Sequence, residues 1–136
     1  MLAAGVDVSD RPNILILMTD QQRFDALGCA GNGKIRTPNL DRLAASGVRF
    51  TQACCPTPVC VASRYSFITG LRMRYHHWCH NLPVPGPIPE NPTLMTMLHR
   101  AGYHCQGIGK MHFRGRLHGF QDLKSMEEGI QHRIDD

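Results

Sequence analysis

Pro12-Asn13-Ile14-Leu15-Ile16-Leu17-Met18-Thr19-Asp20 is the stretch on which a fold assignment turns. Six of its residues, Asn13 to Met18, form an almost wholly apolar run that is β-branched in part, entered from a proline and closed by Thr19-Asp20. A short continuous apolar run of this kind fits a strand buried on both faces of a parallel sheet, not the alternating pattern of a half-solvated one. Downstream, Thr37-Pro38 has the signature of a helix start, with threonine as N-cap and proline in the first turn. Leu40, Leu43 and Ala44 fall at helical spacing before Gly47. Val48 to Ala53 reads as the next strand, and Thr57-Pro58 repeats the start signal for a helix running from Val59 to Thr69. Leu71 to Pro92 carries prolines at 83, 85, 87 and 89 and is read as an extended surface loop. Thr93 to Ala101 follows as a helix with Leu94, Met97 and Leu98 on one face, then Tyr103 to Ile108 as a short strand. This β-α-β-α-loop-α-β order predicts an α/β fold with a mainly parallel sheet flanked by helices.

The remainder is less regular. After Gly109 the pattern decays, and glycines at 115, 119 and 129 punctuate a polar stretch ending in Asp135-Asp136. Residues 1–136 are therefore read as one domain or part of one, with a flexible start at 1–11 and a poorly packed tail over 114–136. A sheet that stops in this way is expected to be incomplete.

Composition narrows the function. The chain has 136 residues, 42% of them hydrophobic, enough for one core and too few for two ordinary domains. The net charge of +4 comes from 15 basic and 11 acidic residues that are dispersed, which suits an anionic small molecule. No interleaving of basic and aromatic residues suggests a nucleic-acid platform. Met1 to Asp10 lacks an apolar segment and the longest apolar run is far below spanning length, so a soluble, cytoplasmic chain with no membrane association is expected. The six cysteines, at 29, 54, 55, 60, 79 and 105, are read as reduced thiols.

Three places carry chemistry on the rim where strand ends and helix starts of such a sheet converge. Asp20 directly follows the first strand, where its carboxylate either helps hold a hard divalent cation or caps the next turn. Gln21 and Asp25 add oxygens nearby, although Asp25 reads equally well as a solvated turn residue. Cys60 lies in a first helical turn with Arg64 four residues on, a setting that favours an anion or an activated thiol but also fits a buried structural cysteine. Lys110 and His112 alternate after the last strand, so that both side chains would project to one face and grip a tetrahedral oxyanion. Tyr75-His76-His77-Trp78-Cys79-His80 has the right residue types for zinc but lacks zinc-ligand spacing, and is read as a loop bordering the site or as surface histidines.

These segments together resemble the formylglycine-dependent sulfatases of the alkaline-phosphatase-like superfamily, specifically their amino-terminal portion. Pro12-Asn13-Ile14 through Thr19-Asp20-Gln21-Gln22-Arg23, with Arg36-Thr37-Pro38-Asn39-Leu40-Asp41-Arg42-Leu43-Ala44 and Gly47-Val48-Arg49-Phe50, looks like the family's opening. Pro58-Val59-Cys60-Val61-Ala62-Ser63-Arg64, closing with Phe67-Ile68-Thr69-Gly70, is similar to its first signature, with Ala62 where proline is usual. Gly102-Tyr103 and Gly109-Lys110-Met111-His112-Phe113 are similar to its second, with Cys105 where serine or threonine is usual.

The resemblance implies a hydrolase acting on sulfuric esters. A maturation partner, either a formylglycine-generating enzyme or an anaerobic sulfatase-maturating enzyme, would oxidise Cys60 to formylglycine. The hydrated aldehyde would attack the sulfur of a small-molecule sulfate ester, expel the alcohol and then release sulfate. It further implies Asp20, Gln21 and Cys60 around Ca²⁺ (or Mg²⁺ or Mn²⁺), and Arg64, Lys110 and His112 against the diol and the sulfate. The family's later Asp-Asn or Asp-His metal pair has no counterpart after Lys110, so the chain alone is expected to be a fragment with little or no turnover. Two alternatives remain: a phosphonate monoester or phosphodiester hydrolase of the same superfamily, and a non-catalytic remnant in which Cys60 stays a thiol.

Overall fold

A computed structural model describes residues 11–81, 92–113, 118–125 and 131–133. The chain divides into two compact units, Met1–Ala53 and Cys54–Asp136, each described by itself. The expected flexible start lies almost wholly outside the described residues, as do the four prolines of the expected loop.

In the first unit, helix α1 spans Pro38–Ser46 with Pro38 in its first turn and Thr37 at its N-cap. The threonine hydroxyl does not cap its own helix. It accepts the Gly28 N–H at 2.8 Å and donates to Asp41 Oδ1 at 2.9 Å. Asp41 Oδ1 also accepts the Cys29 N–H at 2.7 Å, so the start of α1 is tied to a short 3-10 turn at Gly28–Ala30. Asn32 extends the lattice, donating to the Asp25 carbonyl and accepting the Lys34 and Ile35 N–H groups.

Both strands expected in this unit are absent. Residues 13–18 and 48–53 form no regular strand, and Leu15 and Leu17 are 80% and 79% exposed. Strand stability resides in the ladder and in burial of the faces. Among the described residues no strand pairs with either run.

The second unit holds the core. Helix α2, Cys60–Thr69, buries Val61, Ala62, Tyr65 and Ile68 and ends at Gly70 in the left-handed conformation. It starts one residue later than the expected Val59, because the Val59 N–H folds back on the Thr57 carbonyl at 2.8 Å and Val59 is the extended N-cap. Helix α3, Met73–His76, occupies part of the expected surface loop, and His76 and Trp78 are buried. Trp78 stacks on Tyr65 with ring centroids 4.8 Å apart and planes 10° off parallel, an arrangement worth about 0.5–1.5 kcal/mol beyond its area burial. Helix α4, Leu94–Arg100, opens with a reciprocal capping box between Thr93 and Thr96 and buries Met95. Of the apolar residues expected to share its inner face, Leu94 packs on the core but Met97 is half exposed.

Strand β1, Gln106–Gly109, pairs in parallel with β2, Asp122–Ser125, which pairs antiparallel with β3, Gln131–Arg133. β2 and β3 fall within the stretch expected to be a poorly packed tail. Phe120 explains the difference, since its ring is buried with Val61, Tyr65, Ile68, Trp78 and Met95 and carries the chain back alongside β1. The fold is thus α/β, with one parallel and one antiparallel pairing among the described strands. No helix among the described residues is long and apolar enough to cross a membrane.

Candidate active site

Cys60 is the first residue of α2 and is half-buried. Its carbonyl accepts the Ser63 hydroxyl at 3.1 Å, and the first intrahelical bond runs from the Ser63 N–H to the Val59 carbonyl at 2.8 Å. The N-terminal N–H groups of a helix need partners from outside it. Here Asn81, twenty residues on, supplies one by accepting the Val61 N–H on Oδ1 at 3.1 Å. No local sequence signal marks a cap that arrives from so far away.

Arg64, one turn after Cys60, donates from Nη1 to the Lys110 carbonyl at 2.6 Å. Lys110 in turn brings Nζ to 3.9 Å from Cys60 Sγ. Three of the expected residues therefore meet: the Cys60 thiol, an ammonium beside it, and a guanidinium holding the main chain that carries the ammonium.

The route by which Lys110 arrives differs from the expectation. β1 ends at Gly109 in the left-handed region at φ 95°, and His112 is also left-handed at φ 50°. The left-handed residues at 109 and 112 interrupt the extended backbone that the expected alternation of Lys110 and His112 requires. Met111 packs partly on the core, and the Nδ1 atom of His112 is buried. A left-handed residue with a branched or ring-bearing side chain stores strain of order 1–3 kcal/mol, and such positions concentrate at functional sites.

Asp20 and Gln21 belong to the first unit and are exposed. Gln21 is another left-handed non-glycine, at φ 52°. A carboxylate and an amide oxygen are suitable donors for a hard cation, which takes six or more oxygens when it is Ca²⁺. Among the described residues no group of three or more His, Cys, Asp or Glu side chains is placed to hold a metal. The donors match the chemistry of the expected ion without completing a shell. Asp25 instead forms a two-point ion pair with Arg23, at 2.9 and 2.6 Å, and this guanidinium holds its carboxyl below the usual range.

The histidine-rich segment is not merely surface. His76 accepts the Trp78 N–H on Nδ1 at 3.1 Å and meets Ser66 Oγ through Nε2 at 2.9 Å, so both ring nitrogens are engaged. His76, Trp78 and Asn81 pin this segment along α2, a role that residue type alone does not disclose.

Comparison with known proteins agrees with these features. The Sulfatase family model matches residues 12–132. The chain is 40% identical over 124 residues to an arylsulfatase of Clostridium perfringens, covering 90% of this chain and 25% of that protein. It is 36% identical to human steryl-sulfatase over 124 residues, covering 85% and 21% respectively. Among solved structures it is similar to a phosphonate monoester hydrolase of Agrobacterium radiobacter, with a TM-score of 0.76 and 29% identity over 87% of this chain and 26% of the other. A structure described as a complex with its substrate D-glucosamine-2-N,6-O-disulfate matches at TM-score 0.76 and 31% identity, over 84% and 23%. The chain thus spans about a quarter of the length of the relatives it matches.

Proposed function

Because the chain belongs to the sulfatase family, we propose that it carries the nucleophile-bearing, amino-terminal part of a sulfuric ester hydrolase. The carrying observation is the approach of Lys110 Nζ to Cys60 Sγ, at 3.9 Å, with Arg64 clamped on the Lys110 carbonyl. In this reading a formylglycine-generating or anaerobic maturating enzyme converts Cys60 to formylglycine, and the hydrated aldehyde supplies an oxygen nucleophile toward a sulfate monoester.

The surrounding residues then have distinct tasks. Lys110 sets a positive charge against the oxygens at position 60 and against the sulfate, where a fixed cation outperforms water because it needs no reorganisation. Arg64 keeps Lys110 at that distance by holding its main chain, and offers further N–H donors to the diol. His112 contacts a sulfate or diol oxygen and can hold a proton there. Asp20 and Gln21 are assigned to a divalent cation, Ca²⁺ or alternatively Mg²⁺ or Mn²⁺, whose chemistry when bound is to polarise the sulfate. Since the described donors are too few to close a shell, the 136-residue chain alone is expected to turn over little or nothing.

The experiment has two arms. The tryptic peptide carrying residue 60, taken after co-expression with a maturation enzyme, should be lighter by the exchange of CH₂SH for CHO. The matured product of the whole reading frame should hydrolyse an aryl sulfate, whereas the isolated chain should not. Robust turnover by the isolated chain would sink the fragment reading, and an unmodified Cys60 would favour a non-catalytic remnant. The likeness to a phosphonate monoester hydrolase supports a second reading, since both tetrahedral centres suit the same cationic residues. Relative kcat/KM on sulfate and phosphonate monoesters separates the two.

A further inference from the structure

His76 sits at the junction of three contacts along α2. Its Nδ1 accepts the Trp78 N–H, which fixes the tautomer: Nδ1 is bare, so Nε2 carries the proton and donates to Ser66 Oγ. Trp78, held by that N–H, lays its ring on Tyr65, and three residues later Asn81 accepts the Val61 N–H. The segment 76–81 is therefore a strap fastened to α2 at Ser66, Tyr65 and Val61, with its last fastening on the residue after Cys60.

We propose that His76 is a positioning residue, the neutral pin whose two hydrogen bonds hold this strap in place, so that protonating it loosens Asn81 from the first turn of α2. A proton added at Nδ1 would face the Trp78 N–H, turning an accepted hydrogen bond into a clash of two donors. The ring is 2% exposed, so it has no water to take up the lost bond.

Of the groups around the ring, a backbone hydrogen bond favours a charge there, and burial outweighs it. α2 presents the Ser66 hydroxyl and the Tyr65 ring, at 6.1 Å between centroids. On its own side stand His77, which disfavours a second charge, and Arg74 in the same short helix. Among the described residues the ion pairs are Arg23 with Asp25 and His104 with Asp122, and neither carboxylate serves His76.

Burial, against an opposing backbone hydrogen bond and with a smaller contribution from His77, lowers the affinity of His76 for a proton below that of a free histidine. The released strap therefore binds protons more tightly than the pinned one. The pin contributes fully above the free histidine value of about 6.5, and its contribution falls as pH drops through that value toward the depressed one. The bearing on catalysis rests on Cys60 as the nucleophile position; the test below does not.

Amide hydrogen exchange on the 136-residue chain reads the strap directly. Between about pH 7.5 and about pH 5, the protection factor of the Val61 amide, corrected for intrinsic exchange, is expected to fall several-fold. Ile68, deeper in the same helix, should hold its protection. His76→Gln, which can still accept from Trp78 and donate to Ser66 but does not titrate, should hold Val61 protection flat with pH. A flat wild-type profile overturns the proposal, as does a fall shared equally by Ile68 or by His76→Gln. His76→Asn repeats the non-titrating comparison should the glutamine variant fold poorly. Failure of Cys60 to mature would instead count against the enzyme reading and leave the exchange result untouched.

Discussion

A lysine ammonium 3.9 Å from a cysteine sulfur is a weak hydrogen bond by itself. Its value depends on what position 60 becomes. In the proposed reading, with oxygen in place of sulfur, the same ammonium would meet a harder and more localised negative charge, and a fixed cation there would stabilise the developing transition state. Lys110→Met, made in the matured product of the whole reading frame, is therefore expected to lower kcat/KM by about 10²–10³-fold, the usual cost of removing one preorganised donor. Steady-state kinetics on an aryl sulfate measures this. A loss under tenfold would place Lys110 outside the reacting centre. Arg64→Lys should also be costly although charge is kept. The guanidinium spans to the Lys110 carbonyl with one N–H and leaves others to bind anions, whereas an ammonium is a point donor on a shorter reach.

At the scale of elements, α4 and the turn before β2 depend on each other. Thr93 caps α4 through the Thr96 N–H and also donates to the His118 carbonyl, so one hydroxyl joins a helix start to the turn at 118–120. Gly119 in that turn is left-handed at φ 91°, and a Cβ built on it would stand 2.4 Å from the Thr96 nitrogen. Gly119→Ala must therefore both strain the turn and push it off the cap. We expect a loss of about 2–4 kcal/mol, in the upper range for single substitutions, with Thr93→Ala costing about 1 kcal/mol. Denaturant unfolding followed at Trp78 would measure both, and a Gly119→Ala loss below that of Thr93→Ala would contradict this account.

The same elements show what the sequence could and could not reveal. α1, α2 and α4 were legible from proline, glycine and apolar spacing, because start and stop signals act within one or two turns, although α1 buries none of its residues. Cys60, Arg64 and Lys110 were legible as neighbours only through motif order. The Asn81 cap, the His76 pin and the place of Phe120 in the core join residues far apart in sequence, and local periodicity carries no trace of them. The runs at 13–18 and 48–53 failed for the opposite reason: their apolar character reports that burial is wanted, not that a neighbouring strand is present.

At the scale of the molecule, the described residues leave several large apolar side chains exposed. Leu15 and Leu17 are 80% and 79% exposed, and Val48 and Phe50 are each 80% exposed, all in the first unit. Apolar runs without a ladder pair readily with other chains, and large exposed apolar patches mark interfaces or aggregation sites. The relatives are about four times as long as this chain, so a sulfatase of that length has ample polypeptide to cover these residues. The isolated chain is therefore expected to self-associate as its concentration rises. Replacing Leu15 and Leu17 together by lysine should suppress that association, since charge on an unpaired run blocks edge-to-edge pairing. The second unit should be unaffected, with unfolding at Trp78 shifted by less than about 0.5 kcal/mol, as for exposed substitutions away from a core. Light scattering against concentration supplies the first measurement and denaturant unfolding the second. If the double variant associates as strongly as the parent, the exposed run is not the adhesive surface, and the remaining apolar residues at 48 and 50 become the next to replace.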